Sequence, residues 1–154
     1  MKTRLVVRIF FTMLVIVLTL KVQSQSSIAR VGVVKGKEGV VTDLNEASRV
    51  LKGGLSDQAL VSHAWIEYAA SENKYYLIGK ITNDPVSGKA VQLHEDGNEV
   101  YAVIGPGVEI TCMGINCDMC YPSVNVPRPR CGCADPSPKS NARCDMATKL
   151  TVGF

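Results

Sequence analysis

The chain has 154 residues, of which 46% are hydrophobic, 20% are charged and 6% are aromatic. This length suits one domain, and the composition excludes a collagen-like, a wholly disordered or a predominantly charged chain. The formal net charge is +3, and it is positive only because the first 24 residues contain four basic residues and no acidic one. It therefore does not indicate a nucleic-acid-binding surface on the rest of the chain.

Residues 1–24 have the pattern of a secretory signal peptide. Lys2, Arg4 and Arg8 precede an uncharged run over residues 9–20, and small residues around Ser24 fit a cleavage site. A membrane span needs about 20 apolar residues, so this run predicts a cleaved signal and no stable membrane anchor. Cleavage removes four of the 17 basic residues and none of the 14 acidic ones, which leaves a net charge of −1. We expect an exported protein, periplasmic or extracellular, with an unidentified partner there and no nucleic acid.

Residues 25–109 contain no cysteine and are predicted to form the first domain. A strand is predicted over residues 28–34. A helix is predicted to begin at Thr42 or Asp43, because either side chain can accept a backbone N–H and Glu46 suits the first turn. The helix should end at Gly53-Gly54. Its apolar face is predicted to consist of Leu44, Ala47, Val50 and Leu51.

The segment over residues 57–71 fits two structures. Its apolar residues recur at helical spacing, but a hairpin in which Trp65–Tyr68 pairs with Tyr75–Ile81 across Ser71-Glu72-Asn73 fits almost as well. The sequence leaves both alternatives open.

The segments that follow indicate strands. They are rich in aromatic and branched residues or alternate apolar with polar positions. Asn83-Asp84-Pro85 and Ser87-Gly88 indicate a turn, and Asp96-Gly97 indicates a tight hairpin. The predicted strands cover residues 74–82, 89–94, 99–104 and 108–111. The fold class is therefore α+β or mainly β, a small antiparallel meander with one or two helices.

Tyr75 and Tyr76 are the candidate binding residues. Neighbours in a strand point to opposite faces, so a sheet covered on one face exposes one ring of this pair. The sequence assigns these two residues no partner.

Residues 110–154 form a predicted cysteine- and proline-rich module with few large apolar side chains. In an exported chain an even number of cysteines predicts a disulfide framework, here of three bridges. Cys131 and Cys133 lie one residue apart and should bond to two separate partners. Six cysteines allow 15 pairings, and the sequence does not select one. The cysteines are Cys112, Cys117, Cys120, Cys131, Cys133 and Cys144.

Metal chemistry is the alternative for the same residues. The spacing Cys112-x4-Cys117-x2-Cys120 resembles the [2Fe–2S] loop of plant-type ferredoxins, which implies an iron–sulfur centre completed by one later cysteine. Ile115 and Asp118 depart from the small residues of that loop. A tetrahedral zinc site is the other alternative, and its four thiolates would come from Cys117, Cys120, Cys131 and Cys133.

The sequence contains no recognised catalytic motif. Neither histidine, His63 or His94, lies in a pattern typical of catalysis, and Cys117-Asp118-Met119-Cys120 lacks the βαβ context of a redox dithiol. We therefore expect a non-catalytic binding or structural protein without a cofactor. The alternative is a metal, iron–sulfur or redox protein that uses Cys112, Cys117, Cys120 and one later cysteine.

Overall fold

The computed structural model describes residues 28–103, 107–135 and 139–151. It is mostly antiparallel β with one short helix and a cysteine-rich C-terminal region, as the sequence predicts. The predicted signal peptide, residues 1–24, lies outside the described residues. The elements in chain order are β1 Ile28–Lys35, β2 Glu38–Val41, α1 Leu44–Lys52, β3 Leu60–Ala69, β4 Lys74–Thr82, β5 Val86–Asp96, β6 Glu99–Val103, β7 Gly107–Ile115, β8 Cys120–Ser123, β9 Arg130–Cys133 and β10 Arg143–Thr151.

Six strands close into a ring, because the long strand β5 changes partner along its length. The sheet order is β10-β7-β5-β4-β3-β2-β1-β6, with an additional pairing between β5 and β6. The first half of β5 pairs with β7, from Val86 to Val91, and its last residues, His94 to Asp96, pair with β6. Strands β1 to β6 thus form the ring, and β7 and β10 extend the sheet outward from β5.

The inside of the ring holds the main apolar core. Alternate residues of the strands point inward, and α1 contributes Ala47 and Leu51, both without exposed surface. Leu51 lies directly on β4, since a Cβ atom at Gly79 would come within 2.5 Å of its Cδ1 atom. The strand members of this core are Ala29, Val31, Val34, Ile66, Tyr75, Leu77, Ile81, Val91, Leu93, Val100 and Ala102.

The helix begins where the sequence predicts. Asp43 is the N-cap, and its carboxylate accepts a hydrogen bond from the Glu46 backbone N–H at 2.9 Å. Ala47 and Leu51 lie on the buried face as expected, whereas the prediction for Leu44 is wrong, since 64% of its surface is exposed. Helical side chains point toward the N-terminus of the helix. The side chain of Leu44, the first helical residue, therefore points beyond the part of the helix that packs on the sheet.

Residues 60–82 form the hairpin that the sequence left as one of two alternatives. β3 pairs with β4 through Trp65 opposite Ile78 and Tyr68 opposite Tyr75. The turn at Asp96-Gly97 is also confirmed, and Gly97 has a φ of +63°. The turn predicted at Ser87-Gly88 is wrong, because both residues lie within β5.

A second apolar layer covers the outer face of β4, β5 and β7. Tyr76 and Ile78 of β4 point outward there and are fully buried beneath Val124, which follows β8. Ala69, Ala90 and Ile110 complete the buried part of the layer. The cysteine-rich region therefore lies on the same sheet as the ring, and β7 runs across the predicted domain limit at residue 109.

This second layer corrects the prediction for the tyrosine pair. Tyr75 points into the ring with 5% of its surface exposed, and Tyr76 points outward with none exposed. The expectation of an exposed ring assumed a sheet covered on one face, but both faces of β4 are covered. Among the described residues, no helix has the length and apolar character needed to cross a membrane.

Candidate functional site

All six cysteines are bonded in three disulfides. The first cysteine pairs with the fourth, the second with the fifth and the third with the sixth, and the Cα atoms of the pairs lie 5.6, 6.0 and 5.8 Å apart. Cys131 and Cys133 bond to separate partners, as predicted. The pairs are Cys112–Cys131, Cys117–Cys133 and Cys120–Cys144.

The bridges fasten a small second sheet onto the large one. β8 and β9 form a two-stranded antiparallel sheet in which Cys120 lies opposite Cys133. Cys112–Cys131 joins β7 to β9, and Cys120–Cys144 joins β8 to β10. Two of the three bridges therefore link the two sheets.

Glycines let the backbone of the cysteine-rich region approach the large sheet. A Cβ atom at Gly88 of β5 would lie 2.5 Å from the carbonyl oxygen of Cys120. At Gly114 of β7 it would lie 1.8 Å from the carbonyl oxygen of Cys117. Any larger residue would push the strand away, so Gly88 is explained by this contact and not by a turn.

The sulfur atoms of two bridges lie in contact. Cys144 Sγ is 4.0 Å from Cys117 Sγ, and the ligand atoms of Cys117, Cys133 and Cys144 all lie within 4.8 Å of one another. This group differs from the predicted zinc ligands, because it includes Cys144 and lacks Cys120 and Cys131. Metal binding requires thiolates, and these sulfurs are held in disulfides.

An open cleft of about 420 Å³ lies beside the cysteine-rich region, between β2 and β3. The two strands share one partner pair, Gly39 opposite Ile66, and the cleft lies next to that pair. Its walls combine a lysine, two carboxylates, a tyrosine ring and an amide. The lining residues are Lys37, Glu38, Gly39, Ile66, Glu67, Tyr68, Ala70 and Asn125.

The side chains of the cleft are positioned by neighbours. Lys37 Nζ lies 5.7 Å from the centre of the Tyr68 ring, and the Tyr68 hydroxyl donates to Asn73 Oδ1. Glu67 Oε2 accepts a hydrogen bond from Trp65 Nε1 at 3.4 Å. Two walls thus present polar groups in held positions.

The third wall is Asn125, which comes from the loop between β8 and β9. Val124 is fully buried just before it, and the Ser71 hydroxyl donates to the carbonyl oxygen of Val126 at 3.2 Å just after it. The Cys112–Cys131 bridge holds the far end of the loop. A loop fixed on both sides loses little conformational entropy when it binds.

The candidate site residues Tyr75 and Tyr76 are both buried, and both hydroxyls are hydrogen-bonded within the chain. The Tyr75 hydroxyl donates to the Gly36 carbonyl oxygen, and the Tyr76 hydroxyl donates to Glu72 Oε2 at 2.6 Å. Burial raises the pKa of both hydroxyls, and the Glu72 carboxylate raises that of Tyr76 further. Both hydroxyls therefore stay protonated at neutral pH, and both rings stay packed.

The ring of each histidine lies close to an aromatic ring, stacked on it for His94 and tilted against it for His63. His63 lies 5.6 Å from Trp65, and His94 lies 5.9 Å from Tyr101. They lie on different strands, β3 and β5, and neither lines the cleft.

Sequence reasoning missed the cleft because it missed β2. Gly36 has a φ of +64° in the turn between β1 and β2, so Lys35-Gly36-Lys37-Glu38 contained a hairpin signal. No signal in the sequence places Asn125 at the same cleft as Tyr68, since the loop that carries Asn125 is positioned by the bridges and by Val124.

The chain was compared with family models, curated proteins and solved structures, and none of them matches it.

Proposed function

We propose that this is an exported, non-catalytic binding protein whose ligand site is the cleft between β2, β3 and Asn125. One observation carries the proposal: a loop of the disulfide-bonded region forms a wall of an open cleft and is fixed on both sides of that wall. A cleft with prepositioned polar groups is typical of binding sites.

The cleft chemistry favours a polar ligand with charges of both signs. Lys37 offers a cation to a carboxylate, and Glu38 and Glu67 offer carboxylates to an amine. The Asn125 amide can donate and accept hydrogen bonds, as a peptide backbone requires. A short polar peptide segment is the ligand class that fits these groups.

The proposal includes two further statements, that the protein is not an enzyme and that it is exported. All six cysteines are bonded, so none is a free thiol nucleophile. Disulfides persist in oxidising compartments, which supports the export predicted from residues 1–24.

Binding is tested by titrating the ¹⁵N-labelled protein with a pool of short peptides that carry both charges. We expect amide shifts confined to the neighbourhood of Lys37, Tyr68 and Asn125. Lys37→Ala and Asn125→Ala should each abolish most of the shift, whereas Lys139→Ala, an exposed residue outside the cleft, should leave it unchanged. Shifts confined to another surface would contradict the site.

A metal-thiolate protein is the second candidate, favoured by the proximity of the Cys117, Cys133 and Cys144 sulfur atoms. The mass of the protein recovered from a secreting host separates the two candidates. A chain that begins at Gln25 and gains about 6 Da on reduction supports export and three bridges. A chain that loses metal on denaturation and then shows free thiols supports the alternative, and one that retains residues 1–24 would contradict the export.

A further inference from the structure

Strand β10 forms an edge of the large sheet. It pairs with β7 along all nine residues, Arg143 to Thr151, and no other described strand pairs with its outer side. Residues 145–150 are all exposed, including Met146 at 47% and Leu150 at 73%. A long edge strand with exposed apolar side chains offers a row of backbone donors and acceptors to another strand.

We propose that two copies of this chain associate through β10, antiparallel and in the register centred on Ala147. The two sheets then continue into each other across a two-fold axis, and each copy contributes the same surface. This inference is independent of the proposed ligand site.

The sequence of β10 is self-complementary in that register. Ala147 is the midpoint of β10, so two copies centred on it align all nine residues. Asp145 then lies opposite Lys149 of the other copy, and this pair occurs twice. Directly opposite residues of an antiparallel pair have side chains on the same face and close together.

Neighbouring registers lose this match. The smallest change of register that keeps each side chain on its own face of the joined sheet moves the centre of the strand pair to Met146 or Thr148. The first places Arg143 opposite Lys149, two like charges, and the second places Asp145 opposite Thr151 without a charge partner. Charge complementarity therefore selects the register that also gives the longest overlap.

Charges on the sheet already alternate up to this edge. Lys89 of β5 is 1% exposed and lies 3.2 Å from Glu109 of β7, and Glu109 lies opposite Lys149 of β10. Asp145 of the second copy would place a negative charge next to Lys149 and extend the alternation by one strand. Within its own chain Asp145 is 3.5 Å from Arg143, on the same face.

The experiment is sedimentation of the oxidised protein over a wide concentration range. A single pair of edge strands is a small interface, so we expect a weak dimer whose population rises with concentration. Asp145→Lys or Lys149→Asp turns both pairs repulsive and should weaken dimerisation about tenfold. Lys139→Asp, which changes the net charge as Lys149→Asp does but lies outside β10, should have no effect.

Two further samples test the register itself. The double variant Asp145→Lys/Lys149→Asp restores opposite charges and should recover the dimer, although the introduced aspartate then faces Glu109 in its own chain. An equimolar mixture of the two single variants should form mixed dimers. One variant then has lysine at both positions 145 and 149, the other has aspartate at both, and each lysine lies opposite an aspartate. Circular dichroism of each variant confirms that it is folded.

Several outcomes would overturn the proposal. The wild-type protein could remain monomeric at all concentrations, which would leave the edge open to a strand of a different protein. Single variants that dimerise like Lys139→Asp would exclude β10 as the interface. Mixed variants that fail to associate would exclude the Ala147-centred register.

Discussion

The ring of β1 to β6 and the cysteine-rich region are stabilised by different means. The ring surrounds one continuous apolar core to which α1 contributes Ala47 and Leu51, whereas the described part of the cysteine-rich region contributes Ile110 and Val124 to the fully buried outer layer. Its cysteines form a cluster of their own around Cys112, Cys117 and Cys120. A segment with few large apolar residues can thus be fixed to a folded sheet by covalent links.

The largest expected effect comes from reducing all three bridges. Each bridge closes a loop of 16 to 24 residues, and a loop of that size is worth about 3 kcal/mol in the chain-entropy model. We expect the amides of β8 and β9 to lose protection against hydrogen exchange, while those of β3 and β4 remain protected. The oxidised protein is the control, and simultaneous loss in all four strands would show one cooperative unit.

Truncation of Leu51 tests the core of the ring. Leu51→Ala removes a fully buried side chain that packs on Gly79, and we expect a loss of about 2–5 kcal/mol in the free energy of unfolding. Leu44→Ala in the same helix should cost less than about 0.5 kcal/mol, because Leu44 is exposed. Denaturant unfolding measures both, and equal losses would contradict the packing of α1.

Tyr76 lies where the two regions meet. Tyr76→Phe removes the hydrogen bond to Glu72 and should cost about 1 kcal/mol at pH 7. Tyr121→Phe, at a more exposed position on β8, is the control and should cost less.

The pH dependence of Tyr76 follows from its raised pKa. Its contribution is complete below pH about 10, the ordinary pKa of tyrosine in an unfolded chain. Above that pH the unfolded chain ionises while the folded chain keeps the proton, so the free energy of unfolding falls as pH rises. Unfolding measured from pH 7 to 11 should show a smaller decline in Tyr76→Phe than in the wild type. Parallel curves would contradict the raised pKa.

An effect similar in size to that of Tyr76→Phe is expected at the helix start. Asp43→Ala removes the cap to the Glu46 N–H and should lower the free energy of unfolding by about 1 kcal/mol. Asp43→Asn keeps an acceptor and should retain most of that stability. A loss of the same size in both variants would indicate that charge and not the hydrogen bond matters.

Sequence patterns predicted those parts of the fold that local chemistry determines. β4 extends over residues 74–82 as expected, because its aromatic and branched residues favour a strand covered on both faces. β10 was not predicted, although its apolar residues Cys144, Met146 and Leu150 lie at alternate positions, because they are few and the strand is largely exposed. The pairing of the cysteines depends on how β8 and β9 fold back over β5 and β7, and no local pattern records that path.

Disulfide mapping of an unreduced proteolytic digest tests the central claim most directly, namely that the cysteine-rich region is covalently fastened to the outer face of the sheet. We expect peptides that link Cys112 to Cys131, Cys117 to Cys133 and Cys120 to Cys144. Bridges that join Cys117 to Cys120, or free thiols that release metal on denaturation, would contradict it.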